Sequence, residues 1–428
     1  MMSLTLAILF AVLLVVGFPV VFAMAISAFG AVLLSGKYPV IVVVKEMFTG
    51  LDSFPLMAVP FFVLAAELMS GGAMTQVLLR FAAQFFGRVR GGLGYANVLS
   101  SAMFAGISGS ALADAAGPGA MMMKMMEKEG YPRSYAGALT ASAAVVGPII
   151  PPSITMIIYA MQDERVSVGT LFMAGIMPGI LICLVYAGIN FIQSMRHGYR
   201  GETPVPHFGT IVMNTLKAVP ALLLIVCVIG GIRIGAFTPT EASVVAVFYA
   251  LLCGMFVYRS LKVSALPGII LASAVTSGAI LMILAAARAF AWVLIVERLP
   301  QEAAQYIVDL NLSPIVFLLV VNVALLIFGC FMDPLPGVMI LVPILAPIAY
   351  SMGIDPTHFA IVVIVNLTMG LVTPPVGSLL FVVSSVGRIP VNEILKQMPI
   401  FFIGNMIILL LLSYVPAIST WLPRASGM

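Results

Sequence analysis

The chain has 428 residues, of which 62% are hydrophobic and 8% are charged. A soluble domain carries about 25% charged residues, so a water-soluble protein is excluded. The net charge of +4 is too small for a nucleic-acid-binding surface. Uncharged stretches at 4–35 and 135–160 are long enough to cross a bilayer, which takes about 20 apolar residues. The sequence therefore predicts an all-α polytopic membrane protein.

Hydropathy marks the candidate spans along the chain. The first, 4–35, is either one long helix or two short helices broken at Gly17-Phe18-Pro19, and the sequence leaves this open. The further candidates are 54–70, 135–160, 168–194, 211–232, 238–258, 266–296, 357–385 and 398–420.

The placement of Lys and Arg predicts the orientation. Basic clusters lie at 80–90, 124–133, 196–200, 259–262 and 388–396. The positive-inside rule assigns these clusters to the cytoplasmic face. Asp163-Glu164 and the segment 297–309 are acidic or mixed, which suits the opposite face.

The segment between Arg90 and Lys124 is too long for one span and too short for two. Both of its ends are basic, so the chain is expected to return to the side that it left. Its centre, 106–110, reads Gly-Ile-Ser-Gly-Ser, where a helix would break. We therefore predict a re-entrant helical hairpin near 91–123 with its tip at 106–110.

The second half of the chain carries a counterpart. A single ungapped offset aligns Gly106 with Gly329 and also Gly147 with Gly370. The same offset predicts a second hairpin near 313–350, with its tip at 329–334. Its flanks are acidic or mixed, so it should enter from the opposite face. Two such hairpins are typical of an inverted repeat, here 1–200 and 201–428.

A proline-interrupted helix is predicted after each hairpin. The first interruption, 147–153, reads Gly-Pro-Ile-Ile-Pro-Pro-Ser, and the second, 370–376, reads Gly-Leu-Val-Thr-Pro-Pro-Val. The paired prolines Pro151-Pro152 and Pro374-Pro375 remove backbone donors and should unwind each helix. Carbonyl groups freed in this way persist in a membrane only inside protein or beside a cavity, as in the midplane sites of secondary transporters.

We predict two pseudo-symmetric Na⁺ sites, each made by one hairpin tip and one broken helix. Most of their ligands should be backbone carbonyl oxygens, which are hard ligands that suit Na⁺. The residues of the first predicted site are Gly106, Ser108, Ser110, Gly147, Ile150 and Ser153. The residues of the second predicted site are Gly329, Asp333, Gly370, Thr373 and Val376.

A substrate carboxylate is predicted between the two tips, facing Arg288, with Ser108 and Asp114 as further contacts. An arginine fork binds a carboxylate through two parallel hydrogen bonds. The alternatives are an internal ion pair for Arg288 and a helix-capping role for Asp114. We expect Glu67 and Glu241, which both follow a proline-containing helix start, to be structural or gating residues.

The sequence resembles a known family at several of these motifs. Gly-Ile-Ser-Gly-Ser at 106–110, its continuation to Asp114 and the two Gly…Pro-Pro elements are similar to the large permease subunit of tripartite ATP-independent periplasmic (TRAP) transporters. The resemblance covers essentially the whole chain. It implies an ion-transporter-superfamily fold of the elevator type, with two hairpins in an inverted repeat, in a bacterial inner membrane.

The resemblance also implies partners and a mechanism. Members use Na⁺ as the coupling ion, so we expect no other cofactor. We expect a small four-helix membrane subunit as a separate chain, and a periplasmic binding protein that delivers an organic acid such as sialic acid, a C4-dicarboxylate or a sulfonate. The protein would then be a transporter and not an enzyme.

Three other functions are alternatives to this interpretation. A stand-alone Na⁺/dicarboxylate symporter of the same superfamily would need no binding protein, and the sequence leaves it open. An intramembrane aspartyl protease using Asp114 and Asp333 is disfavoured because the chain lacks a GxGD motif. An ion channel would differ from a carrier in conducting a current that varies linearly and at rates that a carrier does not reach.

Overall fold

The structure is a computed structural model that describes residues 2–70, 73–86, 89–199, 207–302, 305 and 312–427. These residues form helices joined by turns, and no β-strand is found among them. The helices before residue 200 are α1 (Met2–Val15), α2 (Val20–Ser35), α3 (Ile41–Thr49), α4 (Ala58–Ser70), α5 (Ala73–Gln84), α6 (Gly92–Ser108), α7 (Ala111–Asp114), α8 (Ala120–Lys128), α9 (Arg133–Ala144), α10 (Ile154–Gln162) and α11 (Val168–His197). The later helices are α12 (Phe208–Arg233), α13 (Pro239–Leu252), α14 (Leu266–Val296), α15 (Pro314–Phe331), α16 (Pro334–Ser351), α17 (Pro356–Gly370), α18 (Ser378–Gly387), α19 (Val391–Tyr414) and α20 (Ala417–Ala425).

Seven helices in the described part of the chain are long and apolar enough to cross a membrane. They are Val168–His197, Phe208–Arg233, Pro239–Val257, Val263–Val296, Pro314–Phe331, Pro334–Ser351 and Val391–Tyr414. The prediction of an all-α polytopic membrane protein is therefore confirmed. Both bounds of the predicted span 398–420 were wrong: the helix runs from Val391 to Tyr414, and Pro416 stands at the start of the separate helix α20.

The first predicted span consists of two helices. Helix α1 ends at Val15, and Gly17 follows with a φ of 91°, a conformation that glycine adopts without steric cost. Pro19 then precedes the first residue of α2. The two helices pack closely, since a Cβ added at Gly30 would lie 2.6 Å from a Leu9 methyl group.

The helices form two groups. The outer helices, α1–α5 and α12–α14, contact one another through pairs such as α4 with α13 and α2 with α14. The hairpin bundle, α6–α11 and α15–α19, joins both halves of the chain through α9 with α19 and α10 with α16. The two groups meet where α4 and α5 pack on α6 and where α14 packs on α16.

An ion pair joins the C-terminal ends of two outer helices, α2 and α14. Lys37, just after α2, donates a hydrogen bond of 3.0 Å to Glu297 at the end of α14. This bond lowers the pKa of Glu297 to about 2. The pair therefore stays charged at any physiological pH and holds these two helix ends together.

The helix ends follow the predicted repeat. The offset that aligns Gly106 with Gly329 takes Ser108, the end of α6, onto Phe331, the end of α15. It also takes Val168, the start of α11, onto Val391, the start of α19. Each hairpin is a helix–turn–helix unit followed by an interrupted helix, α9 with α10 and α17 with α18. Opposite insertion of the two halves, 1–200 and 201–428, stays a prediction.

A candidate ion and substrate site between two helix tips

The first hairpin turns at Gly109. This residue has a φ of 61° and closes α6 by donating its N–H to the carbonyl of Ala105. Ser110 then caps the returning arm, because its hydroxyl accepts a hydrogen bond from the N–H of Ala113. The arm runs from Ala111 to Lys128 and includes a π-helical turn at Ala115–Gly119. The turn lies within the predicted tip at 106–110.

Asp114 lies behind this tip. The Ser108 hydroxyl donates a hydrogen bond of 2.6 Å to Asp114 Oδ1. Asp114 Oδ2 is buried and accepts no hydrogen bond from the described residues. A Cβ added at Gly147 would lie 3.0 Å from Oδ2, so this oxygen faces the interrupted helix. A carboxylate oxygen buried without a partner is costly, and a cation beside it would offset the cost.

The interruption between α9 and α10 supplies further oxygens. The Ser153 hydroxyl caps α10 and donates a hydrogen bond of 2.5 Å to the carbonyl of Pro148. The carbonyls of Gly147 and Ile150 accept no hydrogen bond from any described residue. The Pro151–Pro152 peptide bond is cis. The free carbonyls of Gly147 and Ile150 and the free carboxylate oxygen of Asp114 therefore belong to the same unit.

The Cα of Gly106 faces an outer helix, and its role as an ion ligand stays a prediction. Gly106 lies inside α6, and a Cβ added there would meet Ile225 of α12 at 3.1 Å. The structure thus brings Ser108, Ser110 and Gly147 together but directs Gly106 towards an outer helix.

In the second unit the backbone of one helix touches that of the next. A Cβ added at Gly370 would lie 2.4 Å from the carbonyl carbon of Gly329, so α15 and α17 meet backbone to backbone. The N–H of Gly377 donates to the carbonyl of Cys330, which ties the interruption to the end of α15. The predicted pairing of Gly329 with Gly370 is present in the structure.

Asp333 and Thr373 occupy this second unit in different ways. Asp333 caps the start of α16, and its Oδ1 accepts a hydrogen bond of 3.1 Å from the N–H of Leu335. The Thr373 hydroxyl donates to the carbonyl of Met369 at 2.9 Å. The Thr373 hydroxyl therefore already has a partner, whereas its carbonyl accepts no hydrogen bond within the described chain. Val376 is partly buried in the same turn, and the Pro374–Pro375 bond is cis.

Both tips line one cavity of about 440 Å³. The hairpin bundle contributes Ser108–Ala113, Pro148, Ile154, Thr155, Asp333–Leu335 and Leu371, while the outer helices contribute Val63, Ala66, Glu67, Thr276, Ala279, Ile280 and Ile283. The wall is mainly apolar, with polar groups concentrated at the two tips. Such a cavity, with a few convergent polar groups, is the usual form of a small-molecule site.

The described residues that line this cavity include no Lys, Arg or His. Positive potential comes instead from helix N-termini, since the first N–H groups of a helix have no partner within it. Helix α10 begins at Ile154, and the arm of the first hairpin begins at Ala111, both in the wall. The N–H groups of Leu112 and Thr155 donate to no described residue. Helix N-termini of this kind bind carboxylate and phosphate groups.

Arg288 lies elsewhere, in a cavity of about 530 Å³ that we call the outer cavity. The outer cavity is also lined by Gly50, which follows α3, and by Glu164, on the face predicted to lie opposite the cytoplasmic one. Arg288 Nε lies 3.7 Å from Glu46 Oε2, so the alternative of an ion pair is found in the structure. The structure does not bring Arg288 to the tips, and Asp114 is not among the residues that line the tip cavity.

The two remaining glutamates have separate environments. Glu241 forms a capping box at the start of α13, where its carboxylate accepts hydrogen bonds from the Thr238 N–H and hydroxyl. Glu67 faces the tip cavity from α4 and has no hydrogen bond or ion pair with a described residue. Sequence reasoning assigned Glu67 to structural pairing or gating and missed its position in the cavity wall. No local pattern marks it.

Two solved transporters have a similar fold. The Alcanivorax borkumensis YdaH transporter aligns with a TM-score of 0.60 and 14% identity, over 89% of this chain and 86% of that protein. The Neisseria gonorrhoeae efflux pump MtrF aligns with a TM-score of 0.50 and 14% identity, over 87% and 83% of the two chains. At this identity the likeness concerns the fold alone.

Sequence relatives are much closer. The chain is 36% identical to the sialic acid TRAP transporter large permease protein SiaM of Vibrio cholerae, over 96% of both chains. It is 39% identical to the C4-dicarboxylate TRAP transporter large permease protein DctM of Pseudomonas aeruginosa, over 90% of this chain and 89% of that one. It is 37% identical to the isethionate TRAP transporter permease protein DctMQ of Oleidesulfovibrio alaskensis, over 96% of this chain and 64% of the relative.

Residues 7–418 match the family described as tripartite ATP-independent periplasmic transporter, DctM component. The match spans nearly the whole chain and includes both tips and both interrupted helices. Its relatives are permeases, so the resemblance found in the sequence is confirmed. The chain belongs to the DctM family, the large permease component of TRAP transporters.

Proposed function

We propose that the chain is the permease of a Na⁺-coupled system that imports an organic acid across the bacterial inner membrane. The observation that carries this proposal is the tip cavity, where two hairpin tips and the two outer helices α4 and α14 enclose one apolar space. A membrane transporter needs a buried site that both sides of the membrane can reach in turn. A cavity between two groups of helices meets this need if one group moves against the other.

The coupling ion is proposed to bind in the first unit, at Asp114 Oδ2 and the free carbonyls of Gly147 and Ile150. These are oxygen ligands, and the buried carboxylate gains a counter-charge when the ion binds. A second ion is proposed at Asp333 and the Thr373 carbonyl. In this assignment Asp114 serves the ion, and not the substrate as its sequence position had suggested.

The substrate anion is proposed to lie in the tip cavity with its carboxylate at the N-terminal ends beginning at Ala111 and Ile154. A cavity without a basic side chain in its described lining has two sources of positive charge, helix termini and the coupling ions. Substrate binding would then be strongest when Na⁺ is bound, which couples the two solutes.

Arg288 is proposed to meet the same anion earlier, in the outer cavity. Its side chain is 40% exposed, and its 3.7 Å separation from Glu46 exceeds a normal hydrogen bond. Guanidinium donors therefore stay available to an incoming carboxylate. The relatives are named as permeases for sialic acid, a C4-dicarboxylate and isethionate, and we propose an anion of this general class.

The partners are proposed from the family and the relatives' names. A tripartite system needs two further components, which we take to be a small four-helix membrane subunit and a periplasmic binding protein. The permease named DctMQ is longer than this chain, in line with a fusion to the small subunit. The outer helices would be the static part of an elevator, and the hairpin bundle the moving part.

Reconstitution tests the proposal. Proteoliposomes with the chain, the small subunit and the binding protein should take up labelled organic acid when an inward Na⁺ gradient is applied. Omitting the binding protein or replacing Na⁺ with choline should abolish uptake. Uptake by the chain alone would contradict the tripartite assignment and favour a stand-alone symporter.

A further inference from the structure

A third cavity, separate from the tip cavity and the outer cavity, lies at the far end of the returning arm of the first hairpin. It has a volume of about 370 Å³ and is formed by α8, α9 and the turn after α18. Four charged side chains line it: Lys124, Glu127, Arg133 and Arg388. We call it the basic cavity. It belongs to the face that carries the basic clusters, which is predicted to be cytoplasmic.

The basic cavity has an excess of positive charge. Arg133 Nε forms an ion pair with Glu127 Oε1 at 2.9 Å, so these two charges compensate each other. The side chains of Lys124 and Arg388 have no hydrogen bond or ion pair with a described residue. Three cations and one carboxylate therefore leave two uncompensated positive charges in one concave site.

The backbone holds Arg388 in a fixed position. Arg388 has a φ of 52°, a left-handed conformation that is unfavourable for residues other than glycine. The Ser384 hydroxyl donates to the Ile389 carbonyl at 2.6 Å, and the Ile389 N–H donates to the Ser384 carbonyl at 3.0 Å. Ile389 is buried and packs on Gly137 of α9. The turn is therefore anchored on both sides of Arg388.

The surroundings favour a phosphate group. Helix α9 begins at Arg133, and Pro132 before it provides no side-chain cap, so its first N–H groups add to the positive potential. On α18, the helix that leads into the cavity, Phe381 is 51% exposed. An exposed apolar side chain on this helix suits a lipid whose acyl chains run along the bundle surface away from the headgroup.

We propose that the basic cavity binds a phosphate group, supplied by an anionic phospholipid headgroup or by a free phosphorylated solute. Lys124 and Arg388 would contact the phosphate oxygens, while Arg133 stays paired with Glu127. The site does not depend on the proposed transport function. The cavity lies on the hairpin bundle, so a lipid bound there would either move with the bundle or restrict the movement of the bundle.

The test uses the full chain purified in detergent and depleted of lipid. Phosphatidylglycerol and phosphatidylcholine are titrated separately, and bound lipid is counted by native mass spectrometry. The double variant Lys124→Gln/Arg388→Gln should bind phosphatidylglycerol about twenty-five-fold more weakly, since each basic side chain near an anionic lipid contributes about fivefold in affinity. Binding of phosphatidylcholine should not change.

The matched control is Arg259→Gln/Lys262→Gln. It removes the same charge from another basic cluster, and Arg259 also has a positive φ, of 50°. The control should bind phosphatidylglycerol as the unaltered chain does, and both variants should keep its thermal unfolding temperature without lipid. Equal loss in both double variants, or no loss in either, would overturn the proposal.

Inorganic phosphate distinguishes the two sources. If it displaces phosphatidylglycerol from the unaltered chain but has no effect on the Lys124→Gln/Arg388→Gln variant, the site accepts free phosphate. If it displaces nothing while the variant loses lipid, the site takes the headgroup. Absence of binding of both probes to the unaltered chain would contradict the proposal.

Discussion

The two hairpin units share a backbone plan but place their acidic groups differently. The repeat offset takes Ser110 onto Asp333, and both residues cap the returning arm of their hairpin. The same offset takes Asp114 onto Gly337, so the carboxylate behind the first tip has no counterpart behind the second. The carboxylate of the first unit, Asp114, is therefore buried behind its tip, whereas the carboxylate of the second unit, Asp333, lines the tip cavity.

The units also differ in how the tip meets the interrupted helix. Gly147 lies against the start of the returning arm, where a Cβ would be 2.9 Å from the Ala111 nitrogen. Gly370 lies against Gly329 of the ascending helix. The two units therefore share the positions of their helix ends but differ in the contacts of their glycines and in the positions of their carboxylates. Substitutions in the two units, the tip cavity and the outer cavity test whether these differences give the units different roles.

The largest effect is expected for Gly370→Ala. Its Cβ would lie 2.4 Å from a backbone atom of Gly329, so α15 and α17 must separate, at a cost of about 3 kcal/mol or more. Uptake in proteoliposomes should be lost and the thermal unfolding temperature should fall. Gly278→Ala is the control, since a Cβ there has nothing within 4 Å. Normal uptake by Gly370→Ala would show that the backbone contact is not required.

Asp114→Asn compares the two acidic groups. Since Asp114 Oδ2 is buried without a partner, loss of its charge should raise the Na⁺ concentration for half-maximal uptake by about tenfold or more, equivalent to about 1.4 kcal/mol. Because Asp333 lines the tip cavity, Asp333→Asn should change the substrate KM as well. If Asp114→Asn keeps the normal Na⁺ dependence, the ion does not bind in the first unit.

Arg288→Lys separates the outer cavity from the tip cavity. A lysine cannot reproduce the planar fork of arginine, so the substrate KM should rise about fivefold, which is about 1 kcal/mol. The Na⁺ dependence should stay unchanged because Arg288 lies away from both tips. A shift in Na⁺ dependence equal to that of Asp114→Asn would place the arginine in the coupled site instead.

Glu67→Gln tests the charge of the tip cavity. Glu67 faces the cavity without a partner and repels an anion there by about 0.5 kcal/mol at roughly 8 Å in a watery medium. Its neutral variant should therefore lower the substrate KM about twofold. Glu241→Gln serves as a control outside the cavity. A higher KM for Glu67→Gln would mean that the carboxylate binds the substrate directly.

The smallest effect is expected for Thr373→Val. The Thr373 hydroxyl already donates to the Met369 carbonyl, and only its own carbonyl is free for an ion. Valine keeps that carbonyl, so the Na⁺ dependence should change less than about twofold, within about 0.4 kcal/mol. A large rise in the Na⁺ requirement would show that the hydroxyl itself is a ligand.

Much of the fold could be predicted because glycine and proline act locally. Gly109 allows the reversed turn of the first tip, and the paired prolines interrupt α9–α10 and α17–α18 where the spacing predicted. These residues limit the backbone dihedrals of their own segment, whatever lies around them. Hydropathy then identifies the long helices between them.

The contents of the site depend on packing between distant segments. Glu67 reaches the tip cavity only because α4 of the outer helices packs beside the hairpin bundle. Arg288 is paired with Glu46 of α3, which lies in the opposite half of the sequence, and Gly50 packs on the Arg288 Cβ. No local pattern reports such contacts. The sequence therefore indicated which residues were charged within the membrane, but not which of them faced the tip cavity.

The central claim is that a cation binds behind the first tip. Cryo-electron-microscopy maps of the protein in Na⁺ and in choline test it most directly. The account predicts density between Asp114 Oδ2 and the carbonyl oxygens of Gly147 and Ile150 in Na⁺, absent in choline and in the Asp114→Asn variant. A map in saturating Na⁺ with no density at this position, and with the Ser108–Asp114 hydrogen bond unchanged, would contradict it.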